Sequence, residues 1–520
     1  MSYNMKYLDE ELILYSKTDA YPFHMPGHKR QNIDFPNPYS IDITEIDGFD
    51  NLHHAEGIIK EAQERAAELY GSEHCYYLVN GSTCGLLAAV CAATKKRDKI
   101  LVARNSHKAV YHAMSLNELD AVYLYPRITV NDLQGQITVK QVEKALYEHP
   151  DIAAVMITSP TYEGIIPDVA GIAKVCHAHS VPLIVDEAHG AHLGFGAGFP
   201  ENAVRLGADA VIMSLHKTLP SFTQTALLHI NGDRIVPEQV QRYLGVFQTS
   251  SPSYLFMAGM DACVRMLIEQ GKELSRNYRK LLDDFYQETA ELKNLHVMQR
   301  EDLNIQEAYG WDDSKLVIYA GDRRTDGSDT SKKRMTGEEL YQILLKKYHL
   351  QMEMASGNYV LGMTSIMDNR EGLERLTTAL KEIDDMIEIE KIEAKKLECM
   401  GTWGSNKSQI AEAVQWEEMS EARNHTAEQS FTARMYTKNR QEMQIYQAVE
   451  LPYREVSFDE AVGKMAADYV FLYPPGIPMI VPGEVISPSF IEKIRECQGL
   501  GLNVSGQSNL CDERIKIVYF

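Results

Sequence analysis

The chain has 520 residues, 44% of them hydrophobic, and a formal charge of -21 at pH 7. That length calls for two or three domains, and the acidic balance argues against nucleic-acid binding while suiting a cationic ligand. No apolar run reaches 18 residues, no signal pattern opens the N-terminus and eight cysteines form no CxxC pair, so the expectation is a cytoplasmic protein with neither membrane span nor disulfide framework.

Residues 1 to 20 read as an amphipathic helix or arm. YPFHMPGHKR (21 to 30) follows, and its two prolines and glycine make it an ordered loop. His24 and His28 are spaced as helical metal ligands would be, but Pro26 and Gly27 lie between them, so a structural loop or a contact with a neighbouring subunit is expected instead. AEGIIKEAQERAAELY (55 to 70) has a helical period that Gly71 stops. CYYLVNGSTCGLLAAVCAAT (75 to 94) reads as a strand, a turn at Asn80 and Gly81, and a helix opening at Ser82 or Thr83. Gly81, Ser82 and Thr83 at a helix N-terminus offer a phosphate cradle, or an ordinary N-cap.

The same strand-then-helix pattern recurs along the chain. KILVARNSHKAVYHA (99 to 113) places His107 just past a strand end, and ITSPTYEGIIPD (157 to 168) does so for Tyr162. After a helix over 169 to 179, the strand Leu183 to Val185 ends in Asp186, with His189 and His192 beyond. VIMSLHKTLPSFTQTALLHI (211 to 230) sets Ser214, His216 and Lys217 between two apolar strands. Taken alone, Lys217 reads either as a strand-end amine reaching solvent or as a catalytic one.

This alternation predicts an α/β fold built on a mostly parallel, doubly wound sheet. In such sheets ligands bind beyond the carboxyl ends of the strands. Gly81 to Thr83, His107, Tyr162, Asp186 and Lys217 all fall there.

From 236 to 295 the pattern is helical, interrupted by QTSSPSY (248 to 254). Strands at 315 to 320 and 358 to 364, with helices at 337 to 347 and 371 to 391, make a smaller α/β unit. The expected organisation is an arm (1 to 50), a large domain (51 to 310), a small domain (311 to 391), a polar connector (392 to 447) and a C-terminal α/β domain (448 to 520). In the last of these, a helix is expected over Asp459 to Ala467, strand-like sequence over 468 to 484 and a helix from 488.

The strand-end residues match what pyridoxal phosphate asks of a protein. It needs an amine for its carbonyl carbon (Lys217), an anion at the pyridine nitrogen (Asp186), a flat group on the ring (His107) and a phosphate site (Gly81, Ser82, Thr83, Ser214, His216). A metal at Asp186, His189 and His192 is the rival reading, but Gly190 disrupts any helix that would align both histidines. A serine hydrolase using Ser82 or Ser214 is disfavoured, because no G-x-S-x-G surrounds either serine.

FHMPGHK (23 to 29), NGST (80 to 83), SPTYEG (159 to 164), DEAHGAH (186 to 192), SLHKTLPSFTQTA (214 to 226) and YPPGIPMIVPGE (473 to 484) together resemble the ornithine/lysine/arginine decarboxylases. These are pyridoxal-phosphate enzymes of the aspartate-aminotransferase fold, type I. The resemblance implies that Lys217 bonds the cofactor, Asp186 pairs with its ring nitrogen and His107 stacks on the ring. It implies that His189 lies near the reacting centre, and that Ser82, Thr83, Ser214 and His216 hold the phosphate side. It further implies a homodimer or dimer-built oligomer with sites at the subunit interface, where Ser250 or Ser251 reaches the partner's phosphate. Glu484 would face the substrate's distal cation.

The short stretch before FHMPGHK resembles family members without a wing domain. That favours L-arginine as substrate, giving agmatine for polyamine synthesis, with lysine or ornithine as alternatives. Other chemistry on the same cofactor (transamination, C–S lysis) and a non-catalytic homologue are the remaining expectations to be weighed.

Overall fold

The computed structural model describes residues 7 to 520 apart from 32–34, 197, 322–334, 401–431, 433, 434, 437, 474 and 475, and apart from the side chains of 394–400. Short apolar runs set its centre. Strands β1 (His74–Leu78), β2 (Lys99–Ala103), β3 (Asp120–Leu124), β4 (Ile152–Thr158), β5 (Leu183–Asp186), β6 (Ala210–Met213) and β7 (Ala226–Ile230) form one sheet in the order β1-β7-β6-β5-β4-β2-β3. The five strands from β6 to β3 run parallel, while β7 is antiparallel to both its neighbours. Runs such as LIVD and AVIM are buried at every position, as strands covered by helices on both faces must be.

Register lines up the working edge of this sheet. Thr158 pairs with Asp186, and Asp186 with Ile212, so the ends of β4, β5 and β6 lie side by side. Because β1 reverses direction twice relative to β6, through β7, the turn after β1 emerges at the same edge.

Helix α1 (Gly81–Ala93) follows that turn and buries seven of its 13 residues. Its Gly85 lies so close that an added Cβ would meet the Leu78 side chain at 2.5 Å and that of Ile212 at 3.2 Å. Helix α2 (Lys108–Leu116) follows β2, and α3 (Val169–Ala178) leads into β5.

A second sheet of four antiparallel strands runs through residues 296–363 and is flanked by helices Gly337–Tyr348 and Arg370–Met400. The loop 21–30 joins it to the first. Tyr21–Phe23 pairs in parallel with Leu350–Met352, and the buried Lys29 amine donates to the carbonyls of Pro22, His24 and Met363. Gly27 N–H donates to the His216 carbonyl at 2.7 Å, and a Cβ there would sit 2.7 Å from the Leu219 backbone nitrogen. His24 and His28 make local hydrogen bonds to Met25 O and Arg30 N. The helix Leu8–Ser16 before this loop buries no residue.

The C-terminal unit differs from its expected pattern. Helix is confined to Phe458–Ala461, since Gly463 adopts φ +79° two residues later, a left-handed conformation that ends the run. Two strands absent from the sequence reading, Tyr453–Ser457 and Arg514–Val518, pair antiparallel. Val470–Leu472 lies between Ile477–Ile480 and Val504–Gly506, and helix Pro488–Gly499 packs Phe490, Ile491 and Ile494 into the same core as Phe458 and Ile515. Most of the connector lies outside the described residues. Among the described residues no helix is long and apolar enough to cross a membrane.

An ion pair helps fasten this unit to the central sheet. Arg104, one residue past β2, donates to Glu484 (3.3 Å) and to the Pro478 carbonyl (2.7 Å), with side-chain exposures of 6% for Arg104 and 1% for Glu484. Its guanidinium also lies over the rings of Tyr111 and Tyr123. Removing one partner strands the other charge in the interior. Arg104→Met is therefore expected to cost about 3–5 kcal/mol, measured as a lower denaturant midpoint, and a loss below about 1 kcal/mol would contradict a dry pair.

Candidate active site

At the carboxyl edge of the central sheet lies a cavity of about 300 Å³, at the small end of ligand sites. The turns after five strands supply its walls. Gly81, Ser82, Thr83, His107, Tyr162, Asp186, His189, His216 and Lys217 all line it, so residues spread over 137 positions meet. Ser214 does not line it but donates to the Ser82 hydroxyl at 2.9 Å, supporting the turn from behind.

The geometry suits an anion at one end. No side chain caps the start of α1, and Gly81 takes φ +73°, which presents backbone N–H groups and two hydroxyls at the positive end of a 13-residue helix. His216, its Nδ1 hydrogen-bonded to the Thr225 carbonyl at 2.9 Å, also lines the cavity. Burial depresses its pKa to about 4, and an anion bound beside it would favour the protonated ring, whose Nε2–H could then donate to that anion.

The cavity also holds the reactive groups. The buried Lys217 amine lies 2.9 Å from His189 Nε2. Burial lowers the lysine's pKa, with Lys315 adding to that effect and Asp186 and Glu353 opposing it. A neutral amine is a nucleophile and an ammonium is not. Asp186 is buried too, and its carboxyl is pushed up by the loss of solvent; a cation or a protonated ring nitrogen beside it would reverse that shift. Burial takes His189 well below its usual range and His107 to about 3. His107 caps α2, its Nδ1 accepting from Ala109 N–H.

Three buried polar atoms along these walls have no hydrogen-bond partner among the described residues: Asn105 Oδ1, Thr158 Oγ1 and His189 Nδ1. Unpaired buried polar atoms are rare in native proteins, and three around one cavity mark a place built for a polar ligand.

A second layer holds the site still. The rings of Tyr162 and His189 lie 4.6 Å apart, and the Tyr162 hydroxyl donates to Glu353 at 2.5 Å, whose other oxygen accepts from Met25 N–H. Behind His189, the buried Lys315 amine donates to its carbonyl and pairs with Asp312 at 3.1 Å. His192 also turns to Asp312, at 3.1 Å, so Asp186, His189 and His192 do not converge.

Other candidates lie farther off. Ser250 and Ser251 are exposed and outside the cavity. Glu484 is absent from its walls; its carboxylate is taken up by Arg104, Asn439 Nδ2 (2.9 Å) and Val481 N–H (3.0 Å). A carboxylate so satisfied is poorly placed to bind a substrate cation. The reading missed Met25, Asn105, Gln134, Thr158, Thr161, Glu163, Tyr473 and Ile477, all of which line the cavity. Asn105 and Thr158 carried a usable signal, since each is a polar residue ending or just following an apolar run. Tyr473 and Ile477 carried none.

The Orn/Lys/Arg decarboxylase major domain matches residues 7–315, and that family's C-terminal domain matches residues 422–497. The chain belongs to the Orn/Lys/Arg decarboxylase family. This decarboxylase is 32% identical to the uncharacterized protein YaaO of Bacillus subtilis, over 98% of each chain. It is 29% identical to an arginine decarboxylase of Halalkalibacterium halodurans, over 98% of its own length and 96% of the relative's. Among solved structures, the lysine decarboxylase LdcF of Francisella novicida shares the fold with a TM-score of 0.76 at 20% identity, over 98% of this chain and 80% of that one. Membership makes the chain an amino-acid decarboxylase of a pyridoxal-phosphate-dependent class, with the fold-type-I architecture that the resemblance implied.

Proposed function

We propose that this enzyme binds pyridoxal 5'-phosphate at Lys217 and converts L-arginine to agmatine and carbon dioxide, a step of polyamine biosynthesis. The observation that carries the substrate choice is the end-to-end similarity to proteins named arginine decarboxylase. The cofactor is supported by the fit of the cavity: an anion cradle at Gly81, Ser82, Thr83 and His216, a buried carboxylate at Asp186, and unpaired polar atoms between them.

When bound, the cofactor supplies a sink for the electron pair left by departing carbon dioxide. The chain's own groups do the rest. Lys217 offers an amine whose burial favours the free base, and Asp186 would hold a proton on the ring nitrogen. His107 offers a flat face, and His189, 2.9 Å from the Lys217 amine, is placed to exchange a proton with it. Each turnover replaces a carboxylate by hydrogen and so consumes one proton.

The same reading makes the enzyme a cytoplasmic homodimer or dimer-built oligomer, in which the exposed Ser250 reaches the partner's phosphate side. Sedimentation of the holoenzyme as a monomer would remove that part.

The deciding assay supplies L-arginine, L-lysine and L-ornithine side by side with added pyridoxal phosphate. Arginine should give carbon dioxide and agmatine in equal amounts, with kcat/KM ahead of the other two by roughly tenfold or more. Preference for lysine or ornithine would overturn the substrate, and carbon dioxide from none of the three would overturn the reaction.

A further inference from the structure

A basic amino acid carries a second cation, and the cavity must answer it. Among the described residues, two acidic side chains line the cavity, Asp186 and Glu163. Asp186 lies beside Lys217 and belongs to the cofactor's end. Glu353 is held by Tyr162 and Met25 and does not line the cavity, and Glu484 is consumed by Arg104, Asn439 and Val481. Glu163 is left.

Its setting is that of a fixed but uncompensated carboxylate. The turn after β4 is closed by Thr161 N–H to the Ile165 carbonyl (2.8 Å) and Gly164 N–H to the Thr161 carbonyl (3.0 Å). Gly164 takes φ +107°, and a Cβ there would press on the Asp312 carbonyl and the Lys315 side chain, so the turn is pinned against the small sheet. One Glu163 oxygen accepts from the buried Tyr359 hydroxyl at 3.1 Å. Neutral groups set its surroundings, and among the described residues no lysine or arginine pairs with it. Burial raises its pKa, as expected for a carboxylate waiting for a charge partner.

We infer that Glu163 is the specificity residue that pairs with the distal cationic group of the substrate. This rests on the reading of the site as one for a basic amino acid. A guanidinium placed there would restore the ordinary ionisation of Glu163 and form a charge-assisted pair in a partly dry site.

The test compares the Glu163→Gln holoenzyme with the wild type, using arginine and its uncharged isostere citrulline. For arginine, KM should rise about 10–100-fold, while kcat stays within a few-fold and the visible absorption of the bound cofactor is unchanged. The inhibition constant of citrulline should stay within about twofold, since citrulline has no charge to lose. Glu163→Asp, which keeps the charge on a shorter stem, should recover part of the arginine affinity.

Calorimetry with arginine and citrulline reads the same discrimination without turnover. If wild type released no carbon dioxide from any basic amino acid, the proposed reaction would fail, yet a calorimetric preference for arginine lost in Glu163→Gln would still uphold this role. An unchanged arginine affinity, or equal losses for arginine and citrulline, would overturn it.

Discussion

Lys217→Ala is expected to leave a folded protein with turnover reduced by at least about 10⁴-fold and without the visible absorption of a lysine-bound cofactor. The amine is buried and hydrogen-bonds His189 across the cavity. The Ser214–Ser82 hydrogen bond and the contact of Gly27 with the His216 carbonyl hold the turn without it. Alanine removes an amine whose charged form burial disfavours, so the melting temperature should hold or rise. The proposed phosphate cradle at Gly81, Ser82 and Thr83 remains, so the cofactor should still bind, though not covalently. More than about 1% residual turnover in a cleanly melting variant would remove Lys217 from its assigned place.

Asp186→Asn should separate two functions that Lys217→Ala abolishes together. Asparagine keeps the shape at the end of β5 but gives up the charge proposed to face the ring nitrogen. We expect kcat to fall roughly 10²–10⁴-fold with the lysine-bound absorption retained. The Asp186 carboxylate favours the charged form of Lys217, so its removal lowers the lysine's pKa further. In cofactor-free protein, the amine should then react with an acylating reagent down to a lower pH than in wild type. A kcat within about tenfold of wild type, or an amine that needs higher pH, would contradict the pairing.

These two residues were legible because each ends an apolar run, and the order of such runs along the chain predicts a parallel sheet with one functional edge. The strands β2, β4, β5, β6 and β7 match their apolar segments to within a residue or two. What escaped depends on distance. Arg104 was an unremarked residue between a strand and His107, and its partner Glu484 is 380 positions away. A motif names a glutamate but not the guanidinium that occupies it. Glu163 sat within a recognised string beside Tyr162, yet nothing local says that it faces the cavity, or that its hydroxyl donor is Tyr359, 196 positions on. The strands Tyr453–Ser457 and Arg514–Val518 were missed because charged residues interrupt both runs and each is stabilised by the other across the whole C-terminal unit.

The loop that carries Lys29 gives the fold a timetable. A ribosome delivers Lys29 early, but the Met363 carbonyl that receives its amine is 334 residues behind, and the cavity residue Ile477 is later still. At about 5–20 residues per second, the first of these contacts waits on the order of tens of seconds. During that interval the nascent chain carries Met25, Lys29 and the polar edge of the central sheet without their covering partners. Completion of the cavity is therefore an event of the nearly finished chain, and, on the proposed function, a fragment ending after the central sheet should be made but remain colourless.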